Sequence, residues 1–196
     1  MKIVYFDTET TGLDPVKNDI VQLSGVIEID GEEKEVFNFK CQPYSFDNIS
    51  DEALKVHGMS KEILLTFELP QIIQHKFVDL LGKYCDKFDK TDKYYPAGYN
   101  VSFDVDFLAQ WFKKAGDNYL GSWLNWKKID PFLIMTLIDS VGGIKLENYK
   151  LETVCKYYNI IISAHDAMSD IMATRKLFQI LVEKIGVDNL KKAGLK

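Results

Sequence analysis

Lys2-Ile3-Val4-Tyr5-Phe6-Asp7-Thr8-Glu9-Thr10-Thr11-Gly12 decides how this chain is to be read. An apolar run of β-branched and aromatic residues ends in two carboxylates one residue apart, followed by a turn. Residues 2–8 read as a buried strand. Residues i and i+2 leave a strand on the same face, so Asp7 and Glu9 project together from its C-terminal end. Two ionised carboxylates about 4 Å apart repel by roughly 4 kcal/mol at an effective dielectric near 20. A divalent cation is the economical compensation.

Outward from this strand, residues 19–30 alternate as a second strand, and Asp30-Gly31 is a hairpin signal. Residues 34–42 return as a third, which makes an antiparallel meander. Residues 50–65 read as short helical pieces around His57-Gly58, with Ser60 as an N-cap. Pro70 opens a helix to about residue 86, with Ile73, Phe77, Leu80, Leu81 and Tyr84 on one stripe. A charged loop, a short strand at 94–99 and a helix over 102–114 follow, and residues 126–130 are expected to form a fifth strand. Helices are expected at 131–140, 151–158, 166–185 and 188–193. The pattern predicts one α/β domain over residues 1–196. Its mixed five-stranded sheet is antiparallel in the first three strands and continues in parallel βα units, with helices on both faces.

The bulk properties narrow the classes. The 196 residues, 46% hydrophobic and 27% charged, suit one ordinary globular domain. No apolar run approaches the roughly 18 residues of a membrane span, and no signal-peptide pattern opens the chain. Cys41, Cys85 and Cys155 are odd in number, widely spaced and without metal-motif spacing, so they read as small core hydrophobes in a reducing, cytoplasmic protein. The net charge of −5 limits long-range attraction to nucleic acid, although ions at a carboxylate site would neutralise part of it. Arg175 is the only arginine, so bidentate reading of guanine edges is nearly absent and any handling of nucleic acid is expected to be sequence-neutral.

Two further carboxylates fall where apolar residues are expected. Asp104 shares a helical stripe with Phe107, Leu108 and Trp111, whereas Asp106 goes with Ala109, Gln110 and Lys113 and faces water. Asp170 lies in the stripe of Ala167, Ile171, Thr174, Leu177, Phe178, Leu181 and Ile185. A carboxylate on an apolar stripe is costly unless paired or metal-bound. For Asp104, an acid complementing a helix N-terminus is the alternative. His165 precedes the helix at 166–185, either as a structural or solvated loop residue or as a group hung over Asp170. Oxygen clusters of this kind suit Mg²⁺, and two ions about 3.5–4 Å apart can clamp an in-line phosphoryl displacement. A histidine with a pKa near 6.5 can deprotonate the attacking water.

Phe6-Asp7-Thr8-Glu9-Thr10-Thr11-Gly12-Leu13-Asp14-Pro15, Gly98-Tyr99-Asn100-Val101-Ser102-Phe103-Asp104 and His165-Asp166-Ala167-Met168-Ser169-Asp170 resemble the three motifs of the DEDDh 3′→5′ exonucleases. These are the DnaQ-like branch of the ribonuclease H-like superfamily, which includes proofreading exonucleases like the epsilon subunit of DNA polymerase III. Val56-His57-Gly58 is similar to a segment between the first two motifs, and the likeness runs from residue 3 to about residue 178. The resemblance implies a ribonuclease H-like fold and a hydrolase that uses two Mg²⁺ or Mn²⁺ ions. Its expected substrate is the 3′ end of single-stranded DNA or RNA, and its product nucleoside 5′-monophosphates. Asp7 would bridge both ions, Glu9 and Asp170 would complete the tighter site, Asp104 would serve the looser one, and His165 would be the general base. Thr10, Thr11, Gly12 and Leu13 would hold the terminal nucleotide, Glu52 and His57 would line its pocket, and Asn100 and Phe103 would support the scissile nucleotide.

Bland readings stand beside these. Leu13 and Phe103 also read as packing residues, Glu52 as a solvated helix acid, and His57 as a loop residue fixing its own backbone. Tyr99 departs from the histidine often found there, and either stacks on a base or fills core. Tyr119, Trp123 and Trp126 read as helix-packing aromatics or as a stacking surface for single strands. Lys113, Lys114, Lys127 and Lys128 read as a solvated face or as phosphate contacts. The rivals to the leading function are an exoribonuclease trimming short RNA and a non-catalytic nucleic-acid or polymerase-binding module. The chain ends soon after the catalytic domain, so a DNA polymerase partner is expected to use the domain surface, or else the protein acts alone.

Overall fold

The computed structural model describes residues 1–162 and 167–186. Strands β1 (Lys2–Thr10), β2 (Ile20–Ile29) and β3 (Glu32–Lys40) form the expected antiparallel meander. Its tight turn puts Asp30 and Gly31 at φ 52° and 87°, a region that Asp tolerates and Gly adopts freely. Helices α1 (Asp51–His57) and α2 (Lys61–Leu64) start at Ser50 and Ser60, whose side chains accept from the Ala53 and Ile63 N–H groups. After α3 (Pro70–Gly82), strand β4 (Tyr95–Ala97) pairs parallel to β1. Then come α4 (Val101–Lys114), α5 (Leu120–Trp123), α6 (Pro131–Ser140), α7 (Leu151–Tyr157) and α8 (Ala167–Ile185).

The sheet order is β3-β2-β1-β4, so among the described residues there are four strands and not five. Among the described residues, the segment expected as the fifth meets β4 at the isolated bridge Ala97–Ile129, and just before it Leu124 bridges Tyr94. Asn125 N–H reaches the Tyr94 carbonyl at 2.8 Å and Ile129 N–H the Pro96 carbonyl at 2.9 Å. Between them the ladder fails because Pro96 has no N–H to give, and Lys127 N–H turns back to Asn125 Oδ1 at 3.0 Å. The expected helix at 188–193, His165 and Asp166 lie outside the described residues.

Alternation along β1 builds two cores. Ile3 and Tyr5 pack with Val26, Ala97 and Ile171 on the α8 side. Val4 and Phe6 pack with Phe77, Leu81, Val101 and Phe107 on the α3 and α4 side. A strand covered on both faces reads as one apolar run. Cys41, Cys85 and Cys155 are free and buried, as expected. Arg175, held at 2.7 Å to Glu28 and 3.0 Å to Glu33, stitches α8 to β2 and β3. No helix among the described residues is long and apolar enough to cross a membrane.

Candidate active site

The acids meet at the C-terminal end of β1. Asp7 stands opposite Ser24 and Glu9 opposite Gln22, just before a register shift at Glu9/Thr10. Burial, and then the charges of Asp104, Glu9 and Asp170, hold the Asp7 carboxyl well above the usual carboxylate range. The four acids therefore share one field although β1, α4 and α8 supply them. Asp104 is only 4% exposed. Its Oδ1 accepts from Thr8 N–H at 3.0 Å and from Thr8 Oγ1 at 2.7 Å. Burial raises its pKa to about 7 even against the lowering effect of those two bonds. Asp106 is exposed, as its stripe predicts.

Local sequence explains how Asp104 gets there. A Cβ at Gly98 would come within 2.9 Å of the Phe6 carbonyl, so only glycine lets β1 and the entry to α4 approach. Asn100 turns into α4 at φ 61°, and its N–H donates to Asp130 Oδ1 at 3.0 Å. Asp104 then falls in the first turn of α4, where the helix N-terminus favours an anion. Its place thus agrees with the helix N-terminal reading of Asp104. Thr8 is the positioning residue that the sequence reading passed over. Its signal was its place between two acids, on the opposite face of β1, toward the helix that carries Asp104.

Asp7 and Asp170 line one cleft together with Tyr5, Gly98, Tyr99 and Thr174. The Tyr99 hydroxyl donates to the Tyr149 carbonyl, and its ring meets Phe132 edge-on at 5.7 Å. A second cleft of about 490 Å³ is lined by Glu9, Thr10, Leu13, Glu52, His57 and Phe103, with Gly12 at its rim. That volume falls in the range of small-molecule sites. Leu13 projects into it 85% exposed. A Cβ at Gly12 would come within 2.5 Å of the Asn18 side chain, which accepts Asp14 N–H at 2.9 Å and closes the loop.

His57 accepts Met59 N–H on Nδ1 at 3.2 Å, and burial lowers its pKa. The neutral ring therefore carries its proton on Nε2, which is buried without a hydrogen-bond partner. Glu52 is exposed, and the Ser50 hydroxyl donating at 2.8 Å holds its carboxyl below the usual range. Thr10 Oγ1 donates to the Gly12 carbonyl at 2.8 Å.

Two expected contacts are not brought to the clefts. Thr11 is 1% exposed and interlocks with Asp19: each N–H donates to the other residue at 2.9 Å, to the Asp19 carbonyl and to Thr11 Oγ1. It fixes the loop from inside. Asn100 is exposed and lines neither cleft. Lys114 is likewise structural, paired with Asp19 at 2.7 Å. The aromatics divide: Trp123 is 5% exposed and packs, whereas Trp126 is 83% exposed.

The donor set fits a hard divalent cation by chemistry. It consists of oxygen ligands, and their mutual repulsion is recorded in the raised Asp7 carboxyl. The fit is not a ready-made cage: among the described residues no group of three or more His, Cys, Asp or Glu side chains is already drawn together for a metal. Thr8 holds one oxygen of Asp104.

A mixed sheet whose central strand ends in acids met from both helical layers is the architecture of the ribonuclease H-like nucleases. A sequence model of the exonuclease family matches residues 4–178, and the chain belongs to that family, with its motifs in the DnaQ-like 3′→5′ branch. A DNA polymerase III PolC-type protein of Thermotoga petrophila is 28% identical over 191 residues, which are 95% of this chain and 12% of that protein. E. coli exonuclease I, crystallised with a dT13 oligonucleotide, superposes with a TM-score of 0.76 at 22% identity, covering 98% of this chain and 43% of that one. The zinc-bound form of the E. coli exonuclease I–ssDNA complex gives 0.75 at 20% identity, over 94% of this chain and 41% of that one. The chain thus spans a minor part of each relative's length.

Proposed function

We propose that the chain is a single metal-dependent 3′→5′ exonuclease domain that removes nucleoside 5′-monophosphates from single-stranded DNA ends. The observation that carries this reading is geometric: Asp7 and Asp170 line one cleft, Thr8 holds the buried Asp104 at the same strand end, and Glu9 lines the second cleft with Leu13, His57 and Phe103. Asp7, Glu9, Asp104 and Asp170 would hold two Mg²⁺ or Mn²⁺ ions, which supply charge neutralisation and activation of water at the scissile phosphate. Thr8 fixes Asp104 through Oδ1 and leaves Oδ2 outside both bonds. Leu13 and Phe103 grip the terminal base and sugar through apolar contact. The His57 Nε2–H donates to an oxygen of that nucleotide. His165 takes the proton from the attacking water, a role that rests on its place in the third motif. The PolC-type relative makes a DNA polymerase the natural partner.

The test is degradation of a 5′-labelled single strand with Mg²⁺ or Mn²⁺, with products identified by mass. Asp7→Ala and Asp170→Ala should abolish release of 5′-monophosphates, and retained activity in either would sink the assignment. His165→Ala should lower kcat by about 10²-fold or more. An unchanged rate and pH profile would remove it from the role of base. Matched DNA and RNA strands separate the deoxyribonuclease from the exoribonuclease reading.

A further inference from the structure

A groove of about 430 Å³ lies away from the acids, between α4 and the segment that follows α5. Val105 forms one wall, and Leu124 and Trp126 another. Its lining includes Lys90, Lys93 and Lys127 and, among the described residues, no acidic side chain. The acids that flank Lys90 and Lys93 in the sequence are held by other groups. Asp92 pairs with Lys2 at 2.5 Å and accepts Asp86 N–H at 3.0 Å. Asp89 accepts Thr91 N–H at 2.8 Å and the Thr91 hydroxyl at 2.7 Å. Lys93 is held at the rim by donating to the Gly121 carbonyl.

Trp126 is the second independent sign. Trp123 already fills the core, and Trp126 stands in water at 83% exposure, with Lys127 Nζ over its ring at 5.8 Å from the centroid. A ring has two faces, and one is left to stack. The basic line also begins at the acids: Lys128 Nζ donates to Ser102 Oγ at 3.1 Å, in the same first turn of α4 that carries Asp104. Val105 lies one turn further on, about 5 Å along the helix.

We propose that this groove is the track for the single strand upstream of the scissile nucleotide, its phosphates on Lys90, Lys93 and Lys127 and a base on Trp126. The inference rests on the exonuclease reading for the direction of the strand. Charge complementarity selects the occupant: polyphosphate backbone suits several lysines and no acid. The net charge of −5 does not oppose this, because screening within about 8 Å lets a bound phosphate feel the near lysines before the distant acids. Lysine contacts without arginine forks, plus stacking on any base, give sequence-tolerant binding.

Two variants test it: Lys90→Ala, Lys93→Ala and Lys127→Ala combined, and Trp126→Ala alone. Each is assayed on a 5′-labelled thymidine strand of about twelve nucleotides and on a dinucleotide too short to reach the groove. The triple variant should raise KM for the long strand about ten-fold and lower the salt slope of log K by about 2. Trp126→Ala should weaken binding of the long strand about ten-fold. Both should hydrolyse the dinucleotide within about twofold of wild type, which also shows that they fold. Unchanged handling of the long strand, or an equal loss at both lengths, overturns the proposal and leaves the groove to a protein partner. Anisotropy of the labelled strand in EDTA reads the groove without catalysis. A wild-type protein that binds through these residues but cleaves neither substrate fails the exonuclease reading and keeps the groove.

Discussion

Asp7 and Asp104 are held above the usual carboxylate range in the metal-free protein, Asp104 to about 7, with burial as the first cause for both. A group whose folded pKa is raised stabilises in full below its unfolded pKa of about 4 and loses that contribution as pH rises through the folded value. His57, whose pKa burial lowers, works the other way: its contribution is complete above about 6.5 and falls below it. A rise to about 7 corresponds to roughly 4 kcal/mol at 1.36 kcal/mol per unit, so the acids outweigh the half-buried histidine. In EDTA, Tm should fall as pH rises from about 5 to about 8, and Mn²⁺ should remove most of that fall. Asp7→Asn should stabilise the metal-free protein at pH 7 by about 1–3 kcal/mol while abolishing activity. A Tm that is flat or rising over this window would show that the acids do not share a field. The residue-level choices were legible where a side chain broke a local pattern: Asp104 and Asp170 on apolar stripes, Glu9 beside Asp7. Thr8 broke no pattern, because threonine is an ordinary strand residue, and only the packing of α4 against β1 gives it a partner.

At the scale of elements, the site depends on α4 being clamped at both ends. Gly98 and Asn100 set its entry, and at its exit Lys114 donates to Asp19 and to the Asn18 carbonyl at 2.9 Å. Asp19 is 2% exposed at its side chain and Lys114 25%. Removing the lysine strands a buried carboxylate, with Ser45 N–H at 3.1 Å as its remaining side-chain partner among the described residues. Lys114→Met should therefore destabilise by about 3 kcal/mol in urea unfolding. A loss under about 0.5 kcal/mol would class the pair with solvent-exposed bridges. The meander, the Ser60 cap and the proline-started helices were readable from local signals alone. The fifth strand was not, because β-branched and aromatic content marks a segment able to pair, while a ladder also needs a donor on its neighbour, and Pro96 supplies none.

For the whole molecule, the sheet lets two helical layers deliver acids to one point, Asp104 from the α4 layer and Asp170 from the α8 layer. The same packing removes the only guanidinium from recognition: Arg175 is tied to Glu28 and Glu33 and is 14% exposed. Each bidentate guanine contact is worth about 1–3 kcal/mol, or roughly 10–100-fold in discrimination. Without one, rates on single strands of adenine, thymine, cytosine or guanine should differ by less than about ten-fold. A larger preference for guanine would require a reader outside the described contacts.

The order of motifs, the alternation of strands and the misplaced acids are local properties of the chain. They pointed to the class of fold and to the candidate acids before any coordinates. Proximity is not local. Tertiary structure alone decided that Thr8 holds Asp104, that Thr11 and Lys114 serve the scaffold, that Tyr99 latches a loop, and that of two tryptophans three residues apart only Trp126 faces water. Threonine, lysine and the aromatics suit interior and surface alike. Their role depends on which neighbour the packed layers bring within hydrogen-bond reach, and sequence spacing does not encode that distance.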